Sequence, residues 1–122
     1  MKIMLCLLLA VASPLAQAQY AALLKGAVAE RFDDEDLRMF VDSARKVLHS
    51  AAENETVKWQ NPKNRHGGEI TLLRNFESRG RACKEVKVFN QAQGRKATNN
   101  FDLCQVDGKW RLLGRSQIKN AK

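Results

Sequence analysis

Cys83 and Cys104 stand symmetrically about the dipeptide Gln93-Gly94, and that symmetry restricts the fold more than any other feature of the chain. A hairpin turning at Gln93-Gly94 sets Ala92 opposite Arg95 and, by the same count, Cys83 directly opposite Cys104. Counted outward from the turn, the cysteine pair falls at a non-hydrogen-bonded position of an antiparallel ladder, where Cα atoms lie about 4.5 Å apart. A disulfide accepts Cα separations of roughly 4.4–6.8 Å. The spacing therefore predicts a cross-strand Cys83–Cys104 disulfide, a fixed strand register and an oxidising compartment. The turn itself is the weak point, because Asn, Asp or Gly suits the first position of a tight primed turn better than Gln.

The N-terminus points to the same compartment. Lys2 precedes an uninterrupted apolar run over residues 3–12, followed by Pro14 and the small-residue sequence Ala16-Gln17-Ala18. This is the order of a secretory signal peptide over residues 1–18, cleaved between Ala18 and Gln19. The apolar run is too short to cross a membrane, which takes about 20 residues. Cys6 lies inside it and leaves with it, so an even number of cysteines remains. Ile3-Met4-Leu5-Cys6 lacks the small residues expected before a lipoprotein cysteine and comes too early, so no lipid anchor is expected there. Residues 19–122 suffice for one domain and not for two. The formal net charge is +8, and loss of Lys2 lowers it by one. Such a charge favours anionic partners such as phosphorylated lipid headgroups or acidic polysaccharide, while export disfavours nucleic acid.

Residues 19–32 read as an Ala-rich leader, with Leu23, Leu24, Ala27 and Val28 near helical spacing. A frayed helix, a membrane-surface contact and a disordered leader are all compatible with it. A helix then starts at a clear signal. Asp33 is a good N-cap, and Asp34, Glu35 and Asp36 place negative charge where the helix dipole favours it. Phe32 and Leu37 have the spacing of a hydrophobic staple. Leu37, Phe40, Val41, Ala44, Val47, Leu48 and Ala51 trace one apolar face, with Arg38, Asp42, Arg45, Lys46 and His49 off it, and the helix should end near residues 50–52.

From Thr56 the period changes to two. Val57 and Trp59 mark one strand, and Ile70, Leu72 and Phe76 a second, with the turn-rich stretch 61–68 between them. Val86 and Val88 mark a third strand and Phe101 and Leu103 a fourth. Asp107-Gly108 is a strong hairpin signal leading to Trp110 and Leu112 on a fifth. The cysteine register places Val86 opposite Phe101, with Val88 and Leu103 on the same face, and turns Cys83, Lys87 and Thr98 to the other. One apolar helix stripe and one apolar sheet face should bury each other. The expected fold is α+β: one amphipathic helix packed on a curved antiparallel meander of about four or five strands, held by one disulfide, over residues 33–113. Residues 114–122 read as a basic tail.

Few residues offer chemistry. His49 lies on the polar side of the helix and His66 in a turn, so both are expected to be solvated. Residues 33–36 are too closely spaced for a calcium loop, which spreads its oxygen ligands around a central Gly. Gly67-Gly68 does not precede a helix and is no phosphate loop. No enzymatic activity, cofactor or metal is expected. The binding candidate is the polar face of the sheet, where alternation places Lys58, Arg81, Lys87, Lys96, Lys109 and Arg111, diluted by Glu69, Glu85 and Asp102. Leu73 and Phe89 also count outward. Arg74 and Lys84 count inward, near the sheet ends, where their charged heads can snorkel to water.

Several segments taken in order resemble a known domain. Val57-Lys58-Trp59-Gln60-Asn61-Pro62, the turn to Gly67-Gly68, Gly80-Arg81-Ala82-Cys83-Lys84-Glu85 and Cys104-Gln105-Val106-Asp107-Gly108-Lys109-Trp110 are similar to the C-terminal surface-antigen domain of the bacterial 17-kDa surface antigen family of outer-membrane proteins. The acidic stretch Phe32-Asp33-Asp34-Glu35-Asp36 fits as well. The resemblance implies a cell-envelope protein with a similar domain, no cofactor and no enzymatic activity. Family members usually carry a lipoprotein cysteine and a glycine zipper ahead of this domain, and here neither pattern is found. The expected function is thus an exported, periplasmic or outer-membrane-associated binding or structural module. Its partner would be the outer membrane, an anionic polysaccharide, peptidoglycan or an envelope protein. The alternative is a soluble periplasmic inhibitor or binding protein for an anionic partner.

Overall fold

The computed structural model describes residues 20, 22–24 and 26–113. The expected signal peptide and its cleavage site, and the basic tail expected over residues 114–122, lie outside them. Helix α1 (Asp34–Ser50) starts where the acidic run begins. Asp33 is extended, and its carboxylate accepts from the Asp36 amide at 2.8 Å. The Asp33 amide in turn donates to the Asp36 carboxylate at 3.0 Å, closing a reciprocal capping box. Two of the orphan donors at the helix start are thereby satisfied. Phe40, Val41, Ala44, Val47 and Leu48 are buried along one stripe, and the helix stops at Ser50, with Ala51 already extended.

Five antiparallel strands follow in a meander, ordered in space as in sequence: β1 (Thr56–Gln60), β2 (Gly67–Ser78), β3 (Arg81–Ala92), β4 (Arg95–Val106) and β5 (Lys109–Leu112). Three of the four connections are two-residue turns with the same backbone. Arg79-Gly80, Gln93-Gly94 and Asp107-Gly108 all have positive φ at both positions (52° and 76°, 52° and 75°, 53° and 76°). This is the primed geometry whose twist matches that of the flanking strands. The cysteine symmetry holds: Ala92 pairs with Arg95 and Cys83 with Cys104, and the disulfide joins Cα atoms 4.0 Å apart.

The sheet packs one face against α1, which lies over β1 and β2. Phe40, Ala44, Val47, Trp59, Ile70, Leu72, Val86, Val88, Phe101, Leu103 and Trp110 form a single buried cluster with the helix stripe. Tyr20 and Leu23 belong to that cluster too. The Tyr20 hydroxyl lies 3.2 Å from His49 Nε2, and the Arg45 guanidinium sits 5.7 Å above its ring. Part of the stretch upstream of Asp33 thus packs on α1.

One expectation for β2 fails for a definite reason. The register slips between Leu72 and Arg74: Leu72 pairs with Val86, but Arg74 pairs with Glu85 and Phe76 with Cys83. A bulge of one residue inverts the facing of everything beyond it. Arg74 therefore joins the outer face, where its Nε meets Glu85 at 3.1 Å, and Phe76 leaves the core side to flank the disulfide. The loop before β1 secures the irregularity, since the Glu53 carboxylate accepts from the Asn75 amide at 2.8 Å. Lys84 does lie on the core-side face, beside Leu103. Its ammonium sits 5.7 Å from the Trp110 ring centre and donates to Asn75 Oδ1 at 2.6 Å.

The disulfide closes a loop of 21 residues in sequence separation, so Cys83→Ala with Cys104→Ala should lower unfolding free energy by about 2–5 kcal/mol. An unchanged urea midpoint for the double variant would show that the bond contributes nothing. Gln93 holds a left-handed conformation that Asn tolerates far better, so Gln93→Asn should stabilise by about 0.5–1 kcal/mol. The melting temperature should rise by about 3–6 °C, and a fall would mean that the bond from Arg31 Nη1 to Gln93 Oε1, 2.5 Å long, outweighs the gain in the turn.

Candidate functional site

The outer face of the sheet is a grid whose rows are set by strand pairing. Lys58 pairs with Glu69 and Glu69 with Phe89. Lys87 lies between Thr71 and Asn100, and Lys96 pairs with Gln91. Arg111 pairs with Cys104 and Lys109 with Val106, while Arg81 is two residues before Cys83 on β3 and so shares its face. All six cations singled out from the sequence are exposed and lie on this one face.

They do not form one patch. Lys58, Lys87 and Lys96 surround Phe89 near the Gln93-Gly94 end, while Arg81, Lys109 and Arg111 occupy the opposite end. Lys87 and Arg81 are six residues apart on β3, about 20 Å at strand rise. Between the groups runs a row of Arg74, Glu85 and Asp102, followed by Phe76 and the disulfide. The Arg74 guanidinium lies 4.2 Å from the Phe76 ring centre. Asp102 is 3% exposed. Burial raises its pKa, the facing Glu85 raises it further, and Arg74 only partly opposes them. Within the first group Lys58 and Glu69 approach to 3.5 Å with the lysine largely in water, a pairing worth little. A shallow depression lined by Lys58, Gln60, Glu69, Phe89 and Gln91 lies beside it.

A second polar assembly was not anticipated. His66, expected to be solvated, is 7% exposed, and its Nδ1 lies 2.8 Å from Asp36 Oδ2. Asp36 is fully buried and also accepts from Asn61 Nδ2 at 2.8 Å and from Asn64 Nδ2 at 3.1 and 3.2 Å. The same loop closes on itself, with Asn61 Oδ1 accepting from the Lys63 amide and Asn64 Oδ1 from the His66 amide. Phe32 stacks edge-on to Trp59 at 5.2 Å and lies 6.2 Å from the His66 ring. Gly68, paired with Trp59, makes room for this: a Cβ there would collide with the Phe89 carbonyl and stand 2.9 Å from Trp59 Nε1. The carboxylate thus pins the β1–β2 loop to the start of α1. Its sequence signal was available, because Asp36 precedes Phe40 by four residues and so falls on the apolar stripe. A carboxylate at such a position needs donors, and Asn61, Asn64 and His66 are the donors that the nearby turn can supply.

Burial by itself would raise the Asp36 pKa. The hydrogen bonds from the Asp33 amide, His66, Asn61 and Asn64 outweigh it and hold the carboxyl below its ordinary value. At neutral pH Asp36 is therefore acceptor-only, and His66 Nδ1 must carry the proton between them. A depressed folded-state pKa adds stability that is complete above the unfolded value, about 3.9, and is lost as pH falls through the folded one. Asp36→Asn should cost about 2–4 kcal/mol at pH 7, and the gap from wild type should close in acid. Asp102, with its pKa raised, acts in the opposite sense, so the difference between the two proteins is the quantity to measure by urea unfolding between pH 7 and pH 2. A gap independent of pH would refute the linkage.

Among the described residues no cluster of His, Cys, Asp and Glu is arranged to hold a metal ion, and no helix is long and apolar enough to cross a membrane. No family model matches the chain, and no solved structure matches it. Two curated relatives, both 17 kDa surface antigens of Rickettsia bellii and one of them from strain RML369-C, are 24% identical to it over 83 residues. The match covers 66% of this chain and 52% of each relative, so the chain spans about half the length of the curated relatives it matches. It is distantly similar to a surface antigen.

Proposed function

We propose that this is an exported cell-envelope protein without enzymatic activity. In this reading it docks its outer sheet face on an anionic component of the outer membrane or of the peptidoglycan. The observation that carries the reading is the placement of Lys58, Arg81, Lys87, Lys96, Lys109 and Arg111, exposed in two groups on the one sheet face that α1 leaves uncovered. A face committed to the core could not carry them. The opposite side of the sheet already supplies the hydrophobic core, so exposed cations on this side do not compete with core packing. Similarity to surface antigens supports an exported or surface location, and the disulfide suits an oxidising compartment.

The attraction of a basic face for an anionic layer is worth about 1 kcal/mol per cation near the surface. It weakens as the screening length contracts from about 8 Å at physiological salt to about 3 Å at 1 M. Purified protein should co-sediment with outer membranes or peptidoglycan at low salt and be released by 1 M sodium chloride. Reversing charge at Lys87, Lys96 and Arg111 together should weaken binding by at least about 100-fold. Sedimentation that survives both high salt and charge reversal would sink the proposed surface.

A further inference from the structure

The group of cations at the far end of the outer face differs from the other in one respect that bears on ligand chemistry. Lys58 has Glu69 beside it, and the central row holds Arg74 against Glu85. Arg79, Arg81, Lys109 and Arg111 make no ion pair among the described residues, and neither do Lys87 and Lys96, but the far group holds three arginines where the near group has lysines only. Two of them converge on a small recess of about 50 Å³ at the β2–β3 hairpin, lined by Ser78, Arg79, Arg81 and Leu113. Its lining thus comprises two arginines, one serine and one leucine. The Arg79-Gly80 turn sets the arrangement: its left-handed backbone reverses the chain in two residues, so that Ser78 and Arg81 are paired across the hairpin mouth. Arg111 projects from the same face one row away, beside the disulfide, and Lys109 lies one position further along β5 on that face.

We infer that this recess is a phosphoryl-binding site, and that it is the part of the basic face that recognises a phosphomonoester group on the envelope partner. The inference rests on the docking proposed above and deepens it. Guanidinium forks match the oxygens of a phosphate bidentately, with a hydroxyl available for a further oxygen. A phosphomonoester carries a charge of about −1.5 to −2 at pH 7, which fits four unpaired cations better than the single charge of a carboxylate. Leu113 gives the carbon side of the ester an apolar wall.

The amide resonances of residues 78–81 report on the recess directly. Titration of the ¹⁵N-labelled protein with inorganic phosphate, against acetate at matched ionic strength, should move them saturably with phosphate and not with acetate. Arg79→Gln and Arg81→Gln should each weaken the response about tenfold. Lys87→Glu with Lys96→Glu should leave it unchanged, with melting temperatures checked for all variants. Vesicles of phosphatidylcholine containing phosphatidate identify the source: capture by these vesicles but not by phosphatidylcholine alone, lost in Arg81→Gln, assigns the group to a lipid headgroup. A response to inorganic phosphate without vesicle capture assigns it to a soluble or polymer-borne phosphate. Equal responses to phosphate and acetate, or a phosphate response confined to the surroundings of Lys87 and Lys96, would overturn the site. Salt-sensitive sedimentation that persists in the two arginine variants, with no phosphate response in the wild type, would leave the general docking face standing and remove only the recess.

Discussion

The carboxylate of Asp36 is the interaction on which the arrangement of helix and sheet depends. It is fully buried yet receives donors from the Asp33 amide, Asn61, Asn64 and His66. A carboxylate taken out of water at a helix start is tolerable only when its lone pairs are filled. Here the donors come from two separate parts of the chain, the cap of α1 and the loop entering β2. The helix dipole adds to the same preference for negative charge at that end. Hydrophobic burial draws α1 onto the sheet without regard to its axial position, and the directional bonds at Asp36 supply the position. Phe32, Trp59 and Gly68 then fit around that point, the indole packed close over a residue with no side chain.

The sheet contributes a second kind of constraint, a register that cannot drift. Three turns of the same primed form and one disulfide fix which residues are opposite one another, and the alternation of faces follows. Register thereby assigns Lys87 and Arg111 to the outer face as firmly as it assigns Val86 and Leu103 to the core. The bulge after Leu72 is the one interruption, and it has a chemical consequence. By moving Arg74 outward it provides Glu85 with a partner and lays a guanidinium over Phe76, which divides the cations of the outer face into two groups.

These features differ in how far the sequence discloses them, and the difference follows the range of the interactions. The helix start, the X-Gly turns and the alternation of Val86, Val88, Phe101 and Leu103 are local patterns, each complete within a few residues, and they suffice for the α+β class and for the cysteine register. The bulge leaves no local mark. Ile70, Leu72 and Phe76 count as one face when the strand is taken as regular, and only the pairing of Arg74 with Glu85 reveals the extra residue. His66 misleads for a related reason, because a histidine among turn residues has the appearance of a solvated side chain until a carboxylate thirty positions upstream is placed beside it. The six outer cations could be assigned to one face from alternation, but their separation into two groups required the bulge and the acid row. Nor did the pattern disclose that Tyr20 and Leu23 extend the core upstream of the helix cap.

A division of labour between the two faces accounts for how a small basic domain tolerates its charge. Every buried aromatic and aliphatic group of the main cluster lies on the side of the sheet that meets α1, and the buried Asp36 carboxylate with its donors sits at the edge of that same side. The outer face contributes little to the core beyond the disulfide and its flanking Phe76. Its lysines and arginines can therefore change partners without disturbing the packing that holds the register. The coupling in the other direction is strong. The hairpin at Arg79-Gly80 and strand β5 hold their cations in place only because the meander, tied by Cys83 and Cys104, does not slide. A charged surface mounted on a stapled ladder has a pre-organised backbone, so that any binding there would leave mainly the exposed side chains to be ordered.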